Sequence, residues 1–132
     1  MKKYELTSEF VTNDFGKKLF RIKALVSFGN VKEGQLGGFI EKEDNLSHDG
    51  NAWVTGDALV ADNARVTGNA LVTDNARVTG DARVTGDALV TDNARVTDNA
   101  RVTGDALVTG NALVTDNARV TGDARVTGDA RV

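Results

Sequence analysis

From Ala52 to Asp129 the chain alternates apolar and polar positions inside a six-residue unit written thirteen times, and Ala130–Arg131–Val132 begins another. Each unit reads Ala, Arg or Leu, Val, Thr, Gly or Asp, then Asp or Asn; only Trp53 in the second slot and Ala61 in the fourth depart from it. Alternation over the first four slots is a strand signature, because successive side chains point to opposite faces. Ala and Val point one way; Arg or Leu and Thr point the other. The last two slots hold residues that tolerate left-handed backbone angles, so they predict a corner. Gly or Asx at this period breaks any helix. Pro is absent, so every backbone N–H is free to join a ladder. A short strand and a corner, repeated, wind into a coil. Three units close a triangle filled by Val and Ala, and successive coils pair as parallel strands about 4.8 Å apart. A short exact period gives every unit the same surroundings, so the expectation is a stack of coils. The expected fold class is all-β, a parallel β-helix.

Val54-Thr55-Gly56-Asp57-Ala58-Leu59 and Val72-Thr73-Asp74-Asn75-Ala76-Arg77 carry an aliphatic residue, a Gly/Asp/Asn pair and a small residue two before the next aliphatic. This pattern resembles the hexapeptide-repeat family over about two thirds of the chain. The resemblance implies a left-handed coil; the period alone does not. Running the register backward adds two imperfect units, Ile40 to Asn45 and Leu46 to Asn51. They put Lys42 and His48 in the inward slot of an open first turn. The stack then holds about five coils and stands roughly 25 Å tall.

Residues 1–39 differ in composition and are expected to form an N-terminal β-rich cap, with residues 40–132 as the β-helix. Tyr4 to Val11 and Lys18 to Val26 read as two strands around a turn at Thr12-Asn13-Asp14-Phe15-Gly16. A solenoid exposes core at its ends, so a plug is expected there. Phe20, Ile22, Leu25, Phe28, Leu36 and Phe39 are the candidates. The segments Phe20-Arg21-Ile22-Lys23-Ala24-Leu25, Phe28-Gly29-Asn30-Val31-Lys32, Gly37-Gly38-Phe39-Ile40 and Asn45-Leu46-Ser47 resemble the leader of a group of bacterial and phage hexapeptide-repeat proteins of unassigned function. Repeats in that group look more varied; the purity here fits repeat slippage and consensus design alike.

Sorting the second slot by every third unit gives three columns. One reads Trp53, Leu71, Leu89, Leu107, Arg125; another Leu59, Arg77, Arg95, Leu113, Arg131; the third Arg65, Arg83, Arg101, Arg119. An apolar column on a surface strand calls for a partner. Trp53, Leu71, Leu89 and Leu107 are therefore a candidate interaction face, toward another subunit or the cap. The Arg column stacks like charges, which is unfavourable alone. Asp87, Asp105 and Asp123 follow those strands, so a self-compensating charged face and an anion-binding ladder are both open. Ca²⁺ needs six to eight oxygen ligands, more than those corners offer. Ala130, Arg131 and Val132 lie within a strand, and an unpaired edge there is expected to pair end to end with a second copy.

Composition removes other classes. Net charge is -3, too mild to argue for nucleic acid or an anionic membrane surface. There is no Cys, and the single His, His48, makes a His-based metal site or active site an unfavoured reading. The resemblance points to acyltransferases with a catalytic His, or to carbonic anhydrases with three His ligands. Here no loop interrupts the repeat and no feature argues for coenzyme A. One outward Thr rank per face leaves ice binding as a weaker alternative, beside an acyltransferase-like chain without its active site. The expectation is a cytoplasmic, non-catalytic structural module that needs no cofactor, binds no small-molecule substrate and has itself as partner.

Overall fold

The structure, a computed structural model, describes residues 2–13 and 16–132. Three strands, β1 (Tyr4–Thr12), β2 (Lys18–Ala24) and β3 (Leu36–Ile40), precede thirteen two-residue strands that run from Trp53–Val54 to Arg125–Val126. Among the described residues the only helical element is a 3-10 turn, Glu43–Asn45. Each short strand is the second and third slot of one unit, and the fifth and sixth slots are the turn.

The strands stack into three sheets of seven, five and four members, one per side of a β-solenoid. The three columns read from the sequence are the three sheets. Trp53, Leu71, Leu89, Leu107 and Arg125 pair in parallel register along one side, the leucine face. Arg65, Arg83, Arg101 and Arg119 do so along the arginine face. Leu59, Arg77, Arg95, Leu113 and Arg131 make a mixed face. The ladder is directional: Arg83 N–H donates to Ala100 O at 3.0 Å and Thr85 N–H to Val102 O at 2.8 Å, each reaching the next coil. Inside, every first-slot Ala and third-slot Val from Ala52 to Val114 is at most 1% exposed. Burying a Val side chain is worth about 1.5 kcal/mol or more, so the stack is held by many equal small terms.

The corners explain the Gly-or-Asp choice. Fifth-slot residues have positive φ whether they are Asp (Asp62 62°, Asp74 60°) or Gly (Gly68 70°, Gly86 72°). A left-handed angle is costly for a side chain with a Cβ. Asp offsets this by bonding the next coil: Asp62 Oδ2 accepts from Gly80 N–H at 3.1 Å, and Asp92 Oδ2 from Gly110 N–H at 3.1 Å.

The cap extends the mixed face. β3 pairs in parallel with Leu59–Val60, β2 pairs antiparallel with β3, and β1 antiparallel with β2. The hairpin was legible in the sequence; its turn at Asp14 and Phe15 lies outside the described residues. Gly37 permits the close approach of β3, since a Cβ there would meet Val54 O at 2.5 Å and Trp53 Cζ2 at 2.8 Å.

Two expectations are corrected. The backward register is displaced by two residues. Ile40 and Leu46, not Lys42 and His48, take the Val slots beside Val60 and Val66, and both are buried. Lys42 is exposed and donates to Asn63 Oδ1 at 3.1 Å. Ser47 N–H and Asn51 N–H keep the regular ladder with Val66 O and Gly68 O, so His48 and Asp49 are extra residues at one corner. The plug also differs. Ile22 is buried, Phe28 packs on the core and Phe39 covers Leu59, but Leu25 and Leu36 are exposed. Tyr4 and Ala24 join the solenoid core instead, while Leu19 is buried with Phe39 and Ala61 in a separate cluster.

Candidate interaction surface

The cap meets the coil where the repeat is broken. Trp53 is 2% exposed, with Phe28 packed edge-on at 5.3 Å and Tyr4 at 6.5 Å between ring centroids. Ala61 is buried with Leu19 and Phe39. A Thr hydroxyl in that slot would be shut under the hairpin, which accounts for Ala. The cap alternative for the apolar column thus holds for Trp53 alone. Leu71, Leu89 and Leu107 remain half-buried in the exposed part of the leucine face, and Leu71 also touches the core.

A cluster missed in the sequence closes the top of the coil. Because the ladder points each N–H to the next coil, the first coil keeps free carbonyls. Lys3, only 4% exposed, aims Nζ at Ala52 O (2.7 Å) and Gly50 O (3.4 Å), with Phe28 at 4.6 Å from the amine. Burial lowers its pKa to about 8, against a smaller opposing pull from Asp49. The Tyr4 hydroxyl lies 2.7 Å from Leu46 O and 2.9 Å from Glu43 O. Burial, with Glu43 and Asp44 nearby, pushes the phenol well above its ordinary range. The His48 ring stacks on Tyr4 at 4.2 Å. Its Nδ1 accepts from Lys3 N–H at 3.0 Å, so the proton of the neutral ring sits on Nε2, 2.9 Å from Glu43 Oε1. The His48 hydrogen bond, then Lys2, hold the Glu43 carboxyl below its ordinary value. One signal pointed here: eight residues separate Leu46 from Val54, where the repeat spaces valines by six.

Arg65, Arg83, Arg101 and Arg119 are exposed in one column. Among the described residues the ion pairs are Lys2–Glu43, Lys17–Asp62 and Arg21–Glu9, beside the His48–Glu43 hydrogen bond, and none involves this column. A groove of about 380 Å³ runs along it, lined by Asn63, Arg65, Asp81, Arg83, Asn99 and Arg101. Beyond the strand, Asp87, Asp105 and Asp123 stack at the next corner. Asp87, with burial and then Asp123, raises the Asp105 carboxyl above its ordinary value. Among the described residues no ion pair joins the two ladders, and the carboxylate that shares the arginine groove is Asp81. The amides stack too, with Asn93 Nδ2 donating to Asn111 Oδ1 at 3.2 Å and Asn69 Nδ2 to Asp87 Oδ1 at 3.1 Å.

Ala130, Arg131 and Val132 are exposed and join the mixed face, with Val132 N–H donating to Leu113 O at 2.8 Å. Among the described residues no group of His, Asp or Glu is arranged to hold a metal, and no helix is long and apolar enough to cross a membrane. No family model matches the chain, and comparison with curated proteins finds no match.

Proposed function

We propose that this chain is a non-catalytic assembly module, a rigid β-solenoid of the hexapeptide-repeat, left-handed kind whose faces carry columns for self-association. One observation carries the reading: Leu71, Leu89 and Leu107 stack in register on one side and are half-buried. A flat, repeating apolar strip on a stiff frame suits a second copy of itself, which presents the same spacing. His48 supports the non-catalytic part. Both ring nitrogens are engaged, Nδ1 by Lys3 N–H and Nε2 by Glu43, and the ring face is stacked on Tyr4, an arrangement for holding the terminus and not for taking a proton from a substrate.

Replacing Leu71, Leu89 and Leu107 by Arg should reduce the oligomer to monomers in sedimentation velocity at high salt. An unchanged mass overturns the leucine-face reading. Turnover of acyl-coenzyme A above background overturns the non-catalytic one.

A further inference from the structure

We infer that the arginine face is a second, ionic docking surface on which the Arg ladder of one molecule meets the Asp ladder of another copy. The inference deepens the assembly reading and rests on it. Arg83 and Asp87 belong to one unit, as do Arg101 and Asp105, and Arg119 and Asp123. Each pair therefore lies at one level of the stack. A two-fold axis parallel to the coil exchanges the two columns and keeps every level. Arg83 then faces the partner copy's carboxylate at position 87, and the levels of Arg101 and Arg119 follow. Arg65 faces the neutral amide of Asn69. The match in spacing is automatic, because both ladders have the strand spacing of the same fold.

The side chains are arranged for this. The arginines are exposed and, among the described residues, have no carboxylate in ion-pair range, while Asp105 is flanked by Asp87 and Asp123. Like charges stacked across strands destabilise each other. Docking the ladders relieves repulsion in both at once and makes the contact specific. A free polyanion fits less well: Asp81 shares the arginine groove, the acidic ladder borders it, and net charge is -3.

The test uses the full chain in sedimentation velocity at about 20 mM and about 500 mM salt, where screening differs strongly. One variant carries Arg83→Asp, Arg101→Asp and Arg119→Asp; the other carries Asp87→Arg, Asp105→Arg and Asp123→Arg. Each alone presents one sign on both columns and should lose the low-salt association. Mixed in equal amounts, they should form a heterodimer that high salt dissociates. Should either variant fail to fold by circular dichroism, Arg83→Gln, Arg101→Gln and Arg119→Gln in one chain should weaken low-salt pairing about tenfold or more. The inference is overturned by a mixture that stays monomeric, by Gln variants that pair like the parent, or by binding of heparin in place of self-pairing. The two surfaces separate cleanly. Association that survives high salt and is lost only with the Leu-to-Arg variant sinks the ionic surface and leaves the leucine face standing. Salt-sensitive pairing that persists in that variant does the reverse.

Discussion

Lys3 and Tyr4 sit side by side under the cap and carry opposite pH dependences. The native Lys3 amine, at about 8 against 10.5 for an ordinary lysine, sheds its proton before the unfolded one does. The unfolded state binds more protons between those values, so stability rises with pH across that window. Tyr4 is shifted upward, so its contribution is intact below the ordinary 10.0 and is lost as pH climbs above it. Urea midpoints should rise from pH 7 to 9, a rise that Lys3→Met flattens; above pH 10 the Tyr4 loss opposes the remaining Lys3 gain, and Tyr4→Phe should remove that opposition. The corners make a second prediction at this scale. Gly86 has φ of 72°, and a Cβ there would meet Gly104 N at 2.9 Å. Gly86→Ala should cost about 1–2 kcal/mol in denaturant unfolding. Gly86→Asp should cost less, since its carboxylate gains the next coil's N–H as Asp62 does.

Among the elements, the two-residue strand is too short to stand alone and borrows all its stability from the coils above and below. Val84 is fully buried between neighbours, whereas Val126 is 8% exposed. Val84→Ala should lower stability by roughly 2 kcal/mol and Val126→Ala by clearly less, read as shifts in thermal midpoint. The junction between cap and coil has its own probe, because Trp53 is the chain's only Trp. Its burial against Phe28 predicts blue-shifted emission. Phe28→Ala should move that emission to the red at denaturant concentrations that leave the far-ultraviolet spectrum of the coil unchanged.

At the scale of the whole molecule, core and surface obey different periods. The core repeats every unit, so removing any whole unit leaves Val over Val. The faces repeat only every coil. Deleting residues 79–84 should give a folded solenoid in which Leu89 moves into the arginine column and Arg95 into the leucine column. Deleting residues 79–96 keeps every column. Both shortened chains should show the same β spectrum, but only the longer deletion should still associate in sedimentation. Equal association in both would show that the columns have no part in assembly.

The repeat determined the coil by itself. Each slot has one environment, set by neighbours at a constant offset along the chain, so Val and Ala inside, the αL corners and the three columns of second-slot residues could all be read in advance. Trp53 and Ala61, the two departures from the repeat, both lie against the cap. Only the tertiary structure decided the rest, since those contacts occur once and join distant parts of the chain. Lys3 Nζ reaches Ala52 O across 49 residues. The two extra residues at His48 and Asp49 shift the register that simple counting would extend. That the Arg and Asp ladders do not meet within one molecule is likewise a matter of where a corner turns its side chains, which adjacency in sequence does not specify.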